Sequence, residues 1–225
     1  EFHNDMADLP YALVDATEQF GILSVKTKRV NIIPTPSFFL FTIDRTGSMQ
    51  EVMEDNITNM GYAIQTMKNM VNYLSKQTAN VFIQINVFNS TVDILVPPTK
   101  VSDQNTTNIC DILDTVVPSG MTNIGTALQI ASETCRAYSK MNPTHNIAHI
   151  FMTDGEPTDG ISATSELTAL VNTDYPNINI GFGHRHNVHL MRKLSDLERS
   201  YYSFIDNAKN TSMIYGEIMH MLLYP

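Results

Sequence analysis

Apolar and polar positions along this 225-residue chain follow two alternating rhythms. Residues 38–43 form an almost wholly apolar run, the pattern of a short strand covered on both faces. Over 49–74 apolar residues return at helical spacing, at Ile57, Met60, Ile64, Met67, Val71 and Leu74, which predicts one long helix. Val81–Phe88 is strand-like again. Asn89-Ser90 is a turn-prone pair, so 91–96 is predicted to return as an antiparallel strand. A helix follows over 123–138, with Ile124, Leu128, Ala131 and Cys135 on one face. The remaining pattern predicts strands at 148–153, 178–182 and 201–205 and helices at 163–171, 188–197 and 211–223. Strands that alternate with helices predict a mainly parallel sheet covered on both faces, with the returning strand at one edge.

The segment before this pattern differs. Residues 18–30 alternate with period two (Ile22, Ser24, Val25, Thr27), and Pro34-Thr35-Pro36 makes a stiff link. The expected organisation is an N-terminal extension over 1–37, carrying a strand or ribbon packed on the domain, and one main domain over 38–225.

Composition narrows the class. A formal net charge of -9 argues against a nucleic-acid binder, which needs a basic face to displace counterions from phosphates. The longest apolar runs fall short of a membrane span, so no direct membrane insertion is expected. The two cysteines, Cys110 and Cys135, fall in helical or helix-flanking segments and do not suggest a disulfide framework. No signal peptide is visible. Glu1-Phe2 reads as a cloning remnant, so the chain is expected to be a fragment of a longer protein; its compartment is open, with an intracellular setting slightly favoured.

Candidate chemistry collects where strands end, as it does in open α/β sheets. The first strand runs into Asp44-Arg45-Thr46-Gly47-Ser48. The loop Pro118-Ser119-Gly120-Met121-Thr122-Asn123 enters a helix, and a later strand ends in Thr153-Asp154-Gly155-Glu156. Asp44 and Asp154 are thus expected on one face beside three hydroxyls. Two close carboxylates repel and raise a pKa unless a cation lies between them. Hard oxygen donors without cysteine suit Mg²⁺, and also Mn²⁺ or Ca²⁺. Each residue alone has a plainer reading: Thr46 or Ser48 could cap a helix starting near Met49, and Thr122 could cap the helix that opens at Asn123. Their company makes them ligand candidates. Arg45, Gly120, Glu156, His184 and His186 are candidates for the rim. His184, His186 and His189 make an H-x-H-x-x-H pattern, for which surface or ligand-contact roles are preferred over zinc. Arg45 could pair with Glu156 or reach toward an acidic ligand. His145 and His149 are read as structural, and Met60, Met67 and Met70 as core.

The order Asp44-x-Thr46-x-Ser48, then Thr122 in "SGMTNIGTAL", then Asp154 in "FMTDGEPTDG", resembles the von Willebrand factor A (VWA) domain with its metal-ion-dependent adhesion site (MIDAS). The likeness runs from about Phe38 to Leu223 and includes the tail "INIGFG…LMRKLSD…YYSFIDNA…IYGEIMHMLL". Thr46 stands where the family usually has Ser, and Arg45 where an apolar residue is frequent. The resemblance implies a doubly wound, Rossmann-like α/β fold with one antiparallel edge strand. It implies that Thr46 and Ser48 bind a divalent ion directly, Thr122 directly or through water, and Asp44 and Asp154 mostly through water. Neutral hydroxyls leave such an ion electrophilic, so the implied function is capture of an Asp or Glu offered by a protein partner.

Two other readings compete. One is a scaffold VWA domain with an unused metal site. The other is a Mg²⁺-dependent hydrolase of the haloacid-dehalogenase-like kind, which needs a second Asp where Thr46 stands. No Gly-rich P-loop or nucleophile elbow is present, so the expectation is a protein that is not an enzyme.

Overall fold

Ser37 to Asp44 forms strand β1 (Ser37–Asp44), and all of its residues are buried. A strand buried on both faces must lie inside a sheet, and the computed structural model places it there. The structure describes residues 35–53, 56–77, 80–183, 186–205 and 208–223. The other strands are β2 (Val81–Phe88), β3 (Val92–Lys100), β4 (Asn146–Thr153), β5 (Asn177–Phe182) and β6 (Ser200–Ile205). The helices are α1 (Asn59–Ser75), α2 (Thr106–Leu113), α3 (Ile124–Met141), α4 (Thr164–Ala169), α5 (Val188–Ser195) and α6 (Ala208–Leu223).

The sheet order is β3-β2-β1-β4-β5-β6. All neighbours are parallel except β2 and β3, so the antiparallel strand lies at an edge, as the turn-prone Asn89-Ser90 predicts. Side chains alternate across β1. Phe39, Phe41 and Ile43 pack with Met60, Met67 and Met70 of α1 and with Met219 of α6. Phe38 and Leu40 face the other way, onto Ala131, Cys135 and Tyr138 of α3. Further along that second face, Phe151 of β4 meets Leu128 of α3 and Leu190 of α5. Helices therefore cover both faces, and each fully buried large side chain contributes about 1.5–3 kcal/mol relative to exposure. Cys110 and Cys135 are free thiols in α2 and α3.

One predicted element is corrected. The long helix over 49–74 is instead a single 3₁₀ turn, Gly47–Gln50, followed by a loop and then α1. Asn56 takes φ 65°, a left-handed conformation that asparagine tolerates, and Val52 bridges Thr58 in antiparallel fashion. The Thr58 side chain accepts from Gly61 N at 3.0 Å, capping the true helix start. Ile57, counted into the apolar stripe, lies in the loop and is 40% exposed. Helix α2 follows β3 in a stretch where the apolar pattern had not marked a separate helix. The expected strand or ribbon of the N-terminal extension lies outside the described residues.

His149 sits inside β4, fully enclosed, with Nε2 3.0 Å from the Thr42 hydroxyl of β1. Burial pushes its pKa down to about 4, against an opposing hydrogen bond from the Asn177 side chain. A histidine whose folded pKa lies below its unfolded value supports the fold fully above pH ~6.5. That support is lost as pH falls toward 4, because the unfolded chain takes up the proton first. His149→Gln is expected to be less stable than wild type at pH 7 through lost packing. The gap between them should shrink by about 2 kcal/mol at pH 5, read by urea unfolding of both proteins at the two pH values.

Candidate metal centre

Strand order reverses between β1 and β4, because the chain leaves β1 toward β2 on one side and reaches β4 on the other. At such a switch point a crevice opens at the carboxyl ends of the two strands. Asp44 ends β1 and Asp154 directly follows β4, so both carboxylates face this crevice. They are 0% and 6% exposed.

Three loops are stitched together there by the main chain. Gly47 N donates to Gly120 O at 3.1 Å, and Ser119 N to Arg45 O at 2.7 Å. Thr158 N and Asp159 N both donate to Thr122 O, at 3.0 and 3.2 Å. Thr122 N in return donates to the Thr158 hydroxyl at 2.9 Å. Gly120 has φ +83°, a conformation that favours glycine, and a Cβ there would make a tight 3.2 Å contact with the Asn89 side-chain nitrogen. Asn123, not Thr122, caps α3, its side chain accepting from Thr126 N at 3.0 Å. Thr122 is thereby relieved of the capping role.

The five sequence-predicted residues converge. A Cβ built on Gly155 would lie 3.5 Å from Ser48 Oγ, 3.6 Å from Thr122 Oγ1 and 3.7 Å from Asp44 Oδ2, which places these three oxygens around one point. Ser48 Oγ donates to Asp154 Oδ1 at 2.8 Å. Its single proton is thus committed, so the 2.9 Å contact with Thr46 Oγ1 has Thr46 donating. Asp44 accepts from Thr46 N at 2.8 Å and from the Thr153 hydroxyl at 2.5 Å. Thr46 makes no side-chain cap to the 3₁₀ turn.

Two supporting residues escape a sequence reading. Thr153 holds Asp44. Asn59, buried at the start of α1, donates from Nδ2 to Asp154 Oδ2 at 2.7 Å while its own Oδ1 has no partner. Thr153 could have been flagged as the last strand residue before Asp154. Asn59 lies far from the motif in sequence, and only burial of a polar side chain marks it.

The rim candidates separate. Arg45 pairs with Asp93 of β3 rather than with Glu156, and its Nε is buried without a partner. Gly120 and Glu156 are exposed at the crevice. His186 turns inward: Nδ1 lies 2.7 Å from Gly183 O, Nε2 contacts the Tyr202 hydroxyl, and the ring stacks on Phe204. Both ring nitrogens are thus engaged away from the crevice. His184 lies outside the described residues. No cluster of three or more His, Cys, Asp or Glu side chains that could hold a metal occurs among the described residues. The convergent donors are instead two carboxylates and three hydroxyls.

Electrostatics follow from burial. Asp44 is pushed up to about 7, first by burial and further by the neighbouring Asp154 charge, against the hydrogen bonds from Thr153 and Thr46. Asp154 is also raised, again mainly by burial, with Asn59 and Ser48 opposing and Glu51 adding. Neither carboxylate takes part in an ion pair among the described residues. Two buried acids whose donors among the described residues are all neutral leave uncompensated negative charge, and an oxygen-rich donor set fits a hard divalent cation.

An α/β domain with an oxygen-rich crevice at its sheet's switch point is the class this geometry defines. The model of the von Willebrand factor type A domain family matches residues 39–156, more than half of the chain, and the protein belongs to that family. Among solved structures it is similar to the conserved hypothetical protein BatB from Bacteroides thetaiotaomicron (19% identity, TM-score 0.63, 82% of this chain and 98% of that one). It is similar to a von Willebrand factor type A protein from Catenulispora acidiphila (16%, TM-score 0.68, 82% and 42%). It is also similar to proximal thread matrix protein 1 from the mussel byssus, solved with a zinc-occupied MIDAS motif (20%, TM-score 0.65, 84% and 48%). The chain thus spans nearly all of the first and under half of the other two. No curated protein matches its sequence.

A carboxyl whose folded pKa is raised binds its proton more tightly in the folded than in the unfolded state. Stability therefore falls as pH rises from about 4 through 7. Chelator-treated protein is expected to lose stability between pH 5 and pH 8, by up to about 3 kcal/mol from Asp44. Asp44→Asn should be more stable than wild type at pH 8 and lose that advantage at pH 5, as read by thermal melts of both proteins in chelator.

Proposed function

We propose that this VWA domain is a divalent-cation-dependent protein-interaction module that captures an acidic side chain of a partner. The observation that carries the reading is the convergence of Ser48 Oγ, Thr122 Oγ1 and Asp44 Oδ2 around one point, beside a second buried carboxylate, with neither acid in an ion pair among the described residues. Thr46, Ser48 and Thr122 would hold the ion through their hydroxyls, and Asp44 and Asp154 from behind. Mg²⁺ suits these donors best, with Mn²⁺ or Ca²⁺ as substitutes. Bound there, such an ion supplies an electrophilic position open to an anionic oxygen.

The chain's own residues do the rest. Asp154 is oriented by Ser48 and Asn59, and Asp44 by Thr153 and the Thr46 amide, so neither carboxylate has to reorganise. Ser48, Gly120 and Met121 are exposed at the mouth, where a partner's side chain would arrive. Thr46 stands two residues after Asp44, where the phosphatase reading needs a general acid, and its hydroxyl cannot fill that role at neutral pH. The zinc seen in the mussel protein's MIDAS motif supports metal occupancy of this kind of site without choosing the ion for this chain.

Calorimetric titration of chelator-stripped protein with Mg²⁺ or Mn²⁺ tests the reading. Wild type is expected to bind one ion, and Thr122→Ala or Ser48→Ala to bind at least ~10-fold more weakly, a difference of about 1.4 kcal/mol. Capture of a partner on immobilised wild type should be lost both with chelator and with Thr122→Ala. No binding heat at millimolar ion, with the fold intact, would favour a scaffold role. A Mg²⁺-dependent phosphatase activity lost in Asp44→Asn would favour the hydrolase.

A further inference from the structure

At the amino-terminal end of the sheet, opposite the Asp44–Asp154 crevice, lies a cavity of about 720 Å³. That volume falls in the range of pockets that bury small organic ligands. Its walls combine cationic and apolar groups: Arg136, Lys140 and Arg199 line it together with Tyr175, Tyr201 and Met221. Three of the chain's 14 basic residues thus meet in one hollow of a protein with net charge -9. Asp174 and His145 also border it, so the cations outnumber the single acid.

Arg136, Lys140 and Arg199 are all exposed to solvent at the mouth of this hollow, and two features mark their arrangement. Arg136 and Lys140 stand four apart at the end of α3, on one helix face, where like charges repel. The helix dipole offsets this for Lys140 in the last turn. Neither side chain has a hydrogen-bond or ion-pair partner among the described residues. Arg199 comes from a different element and is held in place. Its backbone has φ 54°, a left-handed conformation uncommon for residues other than glycine, asparagine and aspartate, and its Nη1 donates to Asp174 O at 2.7 Å. A glycine would take that backbone without strain; the chain keeps an arginine there, with its guanidinium pinned at the cavity wall.

We propose that this cavity is a binding site for a small organic anion, with a phosphate, sulfonate or carboxylate head among Arg136, Lys140 and Arg199 and an apolar body against Tyr175, Tyr201 and Met221. The head relieves the like-charge repulsion on α3. The aromatic walls give the body a surface to lie on, and exposed Tyr201 is covered by it. This site is independent of the metal-centre reading.

The probe is 8-anilinonaphthalene-1-sulfonate, an anion of this shape, titrated by fluorescence into the full chain at moderate ionic strength. Wild type is expected to bind it at one site, unchanged by chelator or by Asp44→Asn. The double variant Arg136→Glu/Lys140→Glu should weaken binding at least ~10-fold with an unaltered melting temperature. Arg199→Gly removes a cation and relieves its backbone, so it should weaken the probe several-fold while melting no lower than wild type. Displacement by phenyl phosphate or by benzoate tells which head is preferred, and neutral N-phenyl-1-naphthylamine should bind far more weakly than the sulfonate. Wild-type affinity in both the double variant and Arg199→Gly overturns the proposal. So does equal binding of the neutral and anionic probes, or no saturable binding to the folded wild type.

Discussion

Two carboxylates lie buried side by side where two strands end, and the cost of burying them shapes the upper end of the molecule. The strand order forces the proximity. β1 and β4 are parallel neighbours at the point where the chain's direction of winding reverses, so the residues that leave them enter one crevice. Because the strands are apolar and buried, Asp44 and Asp154 cannot swing out to water without dismantling the strand ends. Among the described residues the donors to the two acids are neutral: the hydroxyls of Thr153 and Ser48, the Asn59 amide and the Thr46 backbone N–H. Hydrogen bonds of this kind lessen the burden without removing it, as the upward shift of both acids shows. A core chosen for stability alone would not place two acids there. Local instability kept at a fixed geometry is what the proposed cation site calls for.

Much of this was legible in the chain, and the reasons are local. A strand covered on both faces leaves an unbroken apolar run, and β1 does so. The spacing Asp44-x-Thr46-x-Ser48 with Thr122 and Asp154 survives in sequence because each residue sits at the end of a regular element, where the register is fixed. What could not be read depends on contacts between distant residues. Asn59 reaches Asp154 only because α1 starts ten residues later than its apolar stripe suggests, after a loop that Asn56 and Thr58 shape. Hydrophobic periodicity carries across that loop because Ile57 falls in phase, although it lies in the loop and is 40% exposed. Arg45 is drawn to Asp93 because β3 folds back beside β2, a pairing whose register no local pattern reveals. His186 looked like a rim residue from its position after β5. The hydroxyl of Tyr202, on the neighbouring strand β6, turns it inward.

The two ends of the sheet carry opposite chemistry, and distance decides whether they communicate through charge. β1 has eight residues, which at strand geometry span about 25 Å. A unit charge at that range in water is worth only about 0.2 kcal/mol before screening. The Debye length in physiological salt is about 8 Å, so little of that survives. An anion held by Arg136, Lys140 and Arg199 therefore leaves the Asp44–Asp154 pair electrostatically untouched. Any coupling between the ends has to be mechanical. The structure offers one element with a stake in both layers: α6 packs Met219 into the core under α1, while Met221 and Leu222 wall the basic cavity. Helix α1 in turn begins at Asn59, the residue that holds Asp154. A shift of α6 would have to move α1 to be felt at the crevice. The contacts between these helices are buried and close-packed, a medium that resists small displacements rather than absorbing them.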